Sequence, residues 1–295
     1  MPALRGAGAV FLGAFMMLSW KPSAEAQPLP TQITGDALTV NPKDAASLLA
    51  AAVPRTMRNH RAAMAFTYGI QYRNRNFSTH GKLLTDYSAK YEVIFVEGLP
   101  YRRQIEENQR PLTGPEAAQE QRRYDQAFAE RSRMTLDQKR DYLKRPWNVD
   151  VPLPMLGSLF ASTVVGEDVV DGRPAIVVES IPRSDVRPAD EEERRALHKR
   201  VKLWIDREDL IVSRIEATLV ADDAAMKKGT VARIDFFRKD GVWLPAQSDV
   251  RFEAVDDGEI VRGETMEVND DFHRFHVDVR LLEPAEPAAD PAQAQ

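Results

Sequence analysis

A chain of 295 residues and 33.2 kDa, with 40 basic and 45 acidic side chains, no cysteine and a formal charge of -5, has room for one large domain or two small ones. The absence of cysteine excludes disulfide staples, thiolate metal sites and cysteine nucleophiles, and the acidic balance excludes a generic polyanion binder, since phosphate affinity needs a basic excess. With 43% hydrophobic and 8% aromatic residues the chain is not a disordered one.

Residues 1–26 read as a secretory signal peptide. Arg5 gives the positive start, the run Ala7–Trp20 carries no charge, and Ala24-Glu25-Ala26 is a small-x-small cleavage site. The apolar run falls short of the roughly 20 residues that a membrane span needs. The expectation is a periplasmic protein cut near Ala26, with no membrane span in the mature chain. Residues 27–40 form a Pro-containing linker. A single domain is expected over 41–282, and the Pro/Ala/acidic tail 283–295 is expected to be disordered.

Pro42 after Asn41 opens a helix whose stripe is Ala46, Leu49, Ala50 and Val53, and Pro54 is expected to interrupt it. After Arg61 the hydrophobic period becomes two. Phe66, Tyr68, Ile70 and Tyr72 share one face of a strand, and Tyr91, Val93 and Phe95 share one face of the next. Gly114-Pro115-Glu116 opens a polar helical insert over about 114–143, broken near Thr135, with a thin apolar stripe that suits a surface position. Pro146, Pro152 and Pro154 stop it, and a short apolar helix follows with Met155, Leu156, Leu159 and Phe160. From Thr163 the chain reads almost wholly as strand, apart from a charge run at 183–199. Val201, Leu203 and Ile205 alternate on one strand and Ile215, Ala217 and Leu219 on the next. Phe252 lies on a later one, and Phe275, Val277, Val279 and Leu281 on the last. Asp171-Gly172, Asp240-Gly241 and Asp257-Gly258 are hairpin signals.

The order is helix, strands, helices, strands, with no linker between them. It predicts an α+β fold in which one large antiparallel sheet of about ten strands curls into an open half-barrel, covered by a few helices on one face. The concave side must be covered. Either the helices at 42–53 and 155–162 complete an ordinary core, or they form a lid over a hollow for an apolar ligand.

The stretch Leu203-Trp204-Ile205-Asp206, followed by Ile211-Val212-Ser213-Arg214-Ile215-Glu216, resembles a hairpin of the outer-membrane lipoprotein-sorting family, the LolA-like periplasmic proteins. Asp240-Gly241-Val242-Trp243-Leu244-Pro245 resembles that family's next hairpin, and Asp271-Phe272-His273-Arg274-Phe275 its closing strand. The resemblance covers mainly residues 163–281. It implies an open, highly curved sheet closed by helices, with acyl chains or lipoproteins held in the hollow. The insert at 114–143 has no place in that pattern.

No catalytic chemistry is legible. There is no H-E-x-x-H, G-x-S-x-G or P-loop. His273 and His276 are three apart in a strand pattern and point to opposite faces, which does not suit a shared metal. The Arg102-Arg103 and Arg122-Arg123 pairs read as surface charge. The expectation is therefore a carrier or chaperone without cofactor or metal, not an enzyme, binding a lipid, acyl chain or lipoprotein and no nucleic acid. The alternative is an envelope regulator that binds another protein through the same fold. The ligand-lining walls are expected at Phe66, Tyr68, Ile70, Tyr91, Val93, Phe95, Val201, Leu203, Ile205, Ile215 and Phe252, and the lid at Met155, Leu159 and Phe160.

Overall fold

A computed structural model describes residues 41–143, 153–256 and 258–275 of the chain. The signal segment, linker and C-terminal tail read from the sequence lie outside these residues. So do Pro146, Pro152, His276, Val277, Val279 and Leu281.

The chain runs α1 (Ala45–Ala63), β1 (Phe66–Ser78), β2 (Leu83–Val96), β3 (Leu99–Glu107) and β4 (Arg110–Pro111), then α2 (Gly114–Ser132) and α3 (Leu136–Leu143). A single 3-10 turn, Leu153–Met155, leads into α4 (Leu156–Leu159), β5 (Phe160–Val170) and β6 (Arg173–Pro182). After α5 (Glu191–Ala196) come β7 (Lys199–Asp206), β8 (Val212–Leu219), β9 (Val231–Lys239), β10 (Val242–Asp256) and β11 (Glu259–Arg274). All strands join one antiparallel sheet in the order β4-β3-β2-β1-β11-β10-β9-β8-β7-β6-β5. The sheet is open, a half-barrel with eleven strands among the described residues, in line with the expected count of about ten and including the two-residue β4. Every neighbour is also a neighbour in sequence except β1 and β11, which form the seam between the two halves.

The hairpins follow from their turn residues. Asp171-Gly172 and Asp240-Gly241 both hold two successive left-handed residues, with φ of 51° and 72° in the first and 50° and 77° in the second. That is the type I′ geometry, whose twist matches the flanking strands.

Helix α1 is longer than its sequence suggests. Asp44 caps it, accepting from the Ala46 and Ser47 amides, and the helix continues through Pro54 to Ala63. Proline removes one amide donor and leaves the Ala50 carbonyl without its helical partner. Ala50 and Pro54 both lie on the exposed side of the helix, open to solvent. On the far side of Pro54 two side chains tie the helix to the sheet. Thr56 Oγ1 accepts from the Val212 amide at 3.0 Å. Asn59 accepts from the Trp243 amide at 2.8 Å and donates to the Trp243 carbonyl at 2.7 Å, as a neighbouring strand would.

The apolar runs on either side of Asn269-Asp270-Asp271 belong to one strand. β11 runs unbroken from Glu259 to Arg274, with a bulge at Asp271, which has φ of 53°. The Asn269-Asp270-Asp271 run looks like a turn in isolation. It stays in the strand because β1 pairs with Asn269 and Asp270, the Asn269 side chain donates to the Pro245 carbonyl at 3.1 Å, and the bulge takes up the extra residue.

Directly paired residues share a face of a sheet. One row of pairs, Val201–Ala217–Ala232–Val250–Thr265–Asn74–Tyr87, crosses seven strands. Alternation from that row defines an inner face, on which α1 and α4 pack. There Leu48, Leu49 and Ala52 of α1 and Leu156 and Leu159 of α4 meet Ile176, Val178, Val201, Leu203, Ile205 and Ile215. A second cluster joins Ala63 at the end of α1 to Phe66, Val242, Leu244 and Phe272.

The helices do not gather on one face, as the sequence suggested. Tyr101 pairs with Ile94 and so points away from the inner face, and α2 packs there. The Tyr101 hydroxyl donates to Glu120 at 2.8 Å, and its ring meets Tyr124 edge-on at 5.7 Å. Arg131, also on α2 and buried, donates to the carbonyls of Leu99 and Pro100 and to the Tyr142 hydroxyl of α3. The thin stripe of α2 is therefore polar-aromatic rather than aliphatic, which is why it reads weakly as a packing face.

Candidate functional site

The register brings all eleven expected wall residues onto the inner face. Each lies an even number of positions from the reference row or pairs directly with a residue that does. They fall in two groups. Val201, Leu203, Ile205 and Ile215 lie beneath α1 and α4, and the first three have 0% exposure. In this half the strand side chains and the helices fill the space between them.

Of the three expected lid residues, Leu159 is buried on α4 and Met155 packs against the same core from the 3-10 turn. Phe160 is not in a helix. Its backbone is extended, with φ of -123° and ψ of 148°, and it starts β5. The apolar helix is thus only four residues long, because Phe160 pairs with Pro182 at the sheet edge.

The second group occupies β1 to β3, β10 and β11, and it is aromatic. Phe66 is buried at the end of α1, and Tyr68 stacks on Phe272 with centroids 4.9 Å apart. Ile70 and Val93 are buried, and Phe95 stacks on Phe275 at 4.8 Å. Tyr91 meets Tyr72 edge-on at 6.4 Å, and Tyr72 meets Tyr87 at 6.1 Å.

At the centre of this half is an ion pair that reads from sequence as surface charge. Arg102 points inward from β3 and donates to Glu267 of β11 at 2.9 Å, with its guanidinium 4.9 Å above the Tyr91 ring. The side chains are only 28% and 14% exposed. Arg103, one position on, faces outward. Alternation in a strand separates the two arginines, but their sidedness needs the register, which one sequence does not display.

Burial pushes the Tyr68 hydroxyl up to about 12, and it also raises Tyr72, Tyr91 and Tyr87, with Glu267 adding to the effect on Tyr72. These phenols stay protonated at physiological pH. Burial works against the Arg102 charge, yet the Glu267 carboxylate outweighs it and holds the guanidinium more firmly protonated than usual.

Phe252, the remaining wall residue, lies over Gly263 of the paired strand. A Cβ on Gly263 would stand 2.1 Å from the ring tip. The ring and Phe77 line a surface depression of about 480 Å³, rimmed by Lys228, Arg251 and Arg262. Replacing Gly263 by alanine is expected to expel the Phe252 ring and destabilise the protein by about 1–3 kcal/mol, as overpacking does. Urea unfolding checks it, and in the Phe252→Ala background the same change should cost almost nothing.

Among the described residues no cluster of three or more His, Asp or Glu side chains is placed to hold a metal, and no helix is long and apolar enough to cross a membrane.

No protein-family model matches the chain, and no curated protein matches it. Solved structures similar to it include a DUF1329 family protein from Desulfovibrio piger, at 14% identity over 80% of this chain and 93% of that one, with a TM-score of 0.31. They include a LolA superfamily protein from Nitrosomonas europaea, at 10% identity over 77% and 94%, with a TM-score of 0.30. A third is an outer membrane lipoprotein-sorting protein domain from Vibrio parahaemolyticus, at 9% identity over 79% and 93%, with a TM-score of 0.35. The last two carry the family name that the hairpin motifs of this chain resemble.

Proposed function

We propose that the protein is a periplasmic carrier or chaperone that holds an acyl chain, or the lipidated end of a protein, against the inner face of the half-barrel. The observation that carries this reading is the inner face itself. One side of a single sheet bears an aliphatic half beneath α1 and α4 and a contiguous aromatic half beside it. Residues 1–26 supply the route to the periplasm.

Burying hydrocarbon supplies the affinity. At about 0.8 kcal/mol per methylene, an acyl chain of about sixteen carbons gains on the order of 10 kcal/mol before ordering costs. A bilayer offers the same chain a similar gain, so delivery needs a cover that moves. Helix α1 suits that task. Its apolar stripe closes the aliphatic half, and side-chain hydrogen bonds at Thr56 and Asn59 fix its second half to the sheet.

The test is mass spectrometry of the organic extract of protein purified from its native compartment. Stoichiometric lipid is the expected result. A clean extract overturns the carrier in favour of the protein-binding alternative.

A further inference from the structure

The aromatic half of the inner face carries information about the polar end of its ligand. Outward-facing positions of these strands hold most of the charge. Arg73 pairs with Asp86 at 2.7 Å, Arg262 pairs with Glu253 at 2.7 Å, and Arg75 pairs with Glu264, all directed away from the inner face by alternation. Away from the strand ends, where Glu107 lies opposite Ala89 and the exposed Arg274 opposite Phe66, the inward-facing charges of β1 to β3, β10 and β11 among the described residues are Arg102 and Glu267. These two are bonded to each other.

Around that pair stand neutral hydrogen-bonding groups. Gln104 donates to the Tyr87 hydroxyl at 3.3 Å, Asn74 donates to Thr265 at 2.9 Å, and the hydroxyls of Tyr68, Tyr72 and Tyr91 lie on the same face.

Resting on the carrier reading, we infer that this half receives the polar end of an amphiphile whose headgroup is uncharged and rich in hydroxyls, such as an acylglycerol or a glycolipid, and that it discriminates against a free carboxylate or a phosphate. The physical reason is charge balance. An anion seated here meets Glu267 as closely as Arg102, so it sheds its hydration and gains no net attraction. A hydroxyl finds donors and acceptors and gives up far less to water. The aromatic rings supply flat apolar surface for the headgroup carbons.

The experiment is calorimetric titration of the delipidated full chain, at mildly alkaline pH, with monopalmitin and with palmitate, each below its micelle concentration. Monopalmitin is expected to bind at least about tenfold more tightly than palmitate, a difference that one uncompensated buried charge supplies. Glu267→Gln frees Arg102 and is expected to raise palmitate affinity at least about tenfold relative to monopalmitin. Palmitate binding the wild-type chain as tightly as monopalmitin overturns the inference while leaving the carrier intact. A folded Glu267→Gln protein with an unchanged preference overturns it too. Failure of both ligands to bind removes the carrier reading and this inference with it. The wild-type comparison stands whether or not the variant folds.

Discussion

Replacing Asn59 by alanine is expected to cost about 2–4 kcal/mol and to speed the release of any bound ligand. Asn59 satisfies both backbone groups of Trp243, a residue with 0% exposure at the start of β10. Alanine leaves an amide and a carbonyl with no partner in an interior that water does not reach, and each such loss costs about 1–3 kcal/mol. Urea unfolding at neutral pH measures the stability term. The functional term follows from position. Asn59 and Thr56 are polar ties between the second half of α1 and the sheet, so without Asn59 the helix leans more on its apolar stripe. A fluorescent acyl probe should then leave faster from Asn59→Ala than from the wild type. Thr56→Val, which breaks a single bond to the Val212 amide, is expected to have the smaller effect of about 1 kcal/mol. An Asn59→Ala protein as stable as the wild type would show that the two hydrogen bonds do not anchor the helix.

The second large effect is at Asp206, which is 1% exposed at the end of β7. Its carboxylate takes two hydrogen bonds from Arg173, at 2.7 and 2.9 Å, and accepts the amides of Glu208 and Asp209. It thereby shapes the turn into β8. Burial pushes this carboxyl up, but Arg173 and the two amides outweigh it and hold it below the usual aspartate range. A carboxyl whose native value is depressed contributes stability that is present above its unfolded value of about 4 and is lost as pH falls through its native value. Asp206→Asn breaks the two-point pairing and leaves Arg173 with Glu208 at 2.9 Å and Asp209 at 3.6 Å, and is expected to cost about 2–3 kcal/mol at pH near 7. The gap between variant and wild type should narrow as the solution is acidified and Asp206 takes up its proton. Urea titrations across a pH series check both the size and the slope, and a gap that does not change with pH would sink the assignment. Arg173 also lies 5.6 Å from the Trp243 ring, so the Asn59 and Asp206 substitutions share a neighbour and should not add independently.

Much of the sheet can be read along the chain because its signals are local. A strand of alternating Phe66, Tyr68, Ile70 and Tyr72 announces its buried side, and an Asp-Gly pair announces a type I′ turn. What escaped the reading depends on partners far away in sequence. Pro54 looks like the end of α1 until Thr56 and Asn59 are seen bonded to strands more than 150 residues later. Asn269-Asp270-Asp271 looks like a turn until β1 is seen paired with Asn269 and Asp270. The inward turn of Arg102 is set by which residue of β2 it faces, Val93, and by the presence of Glu267 two strands beyond. The insert α2 is misplaced by its own polarity. Its buried contacts are made by Glu120 and Arg131, residue types that patterns assign to solvent.

The seam has a consequence for how the molecule comes into being. β1 finds its second neighbour only in β11, nearly two hundred residues downstream. As the chain emerges from its N-terminal end, β1 to β4 and β5 to β10 can zip into two separate ribbons, each with a bare margin where β11 belongs. The final strand therefore acts as the latch that turns two ribbons into one shell. A chain cut short before residue 259 would be left with two sticky edges and a strong tendency to clump.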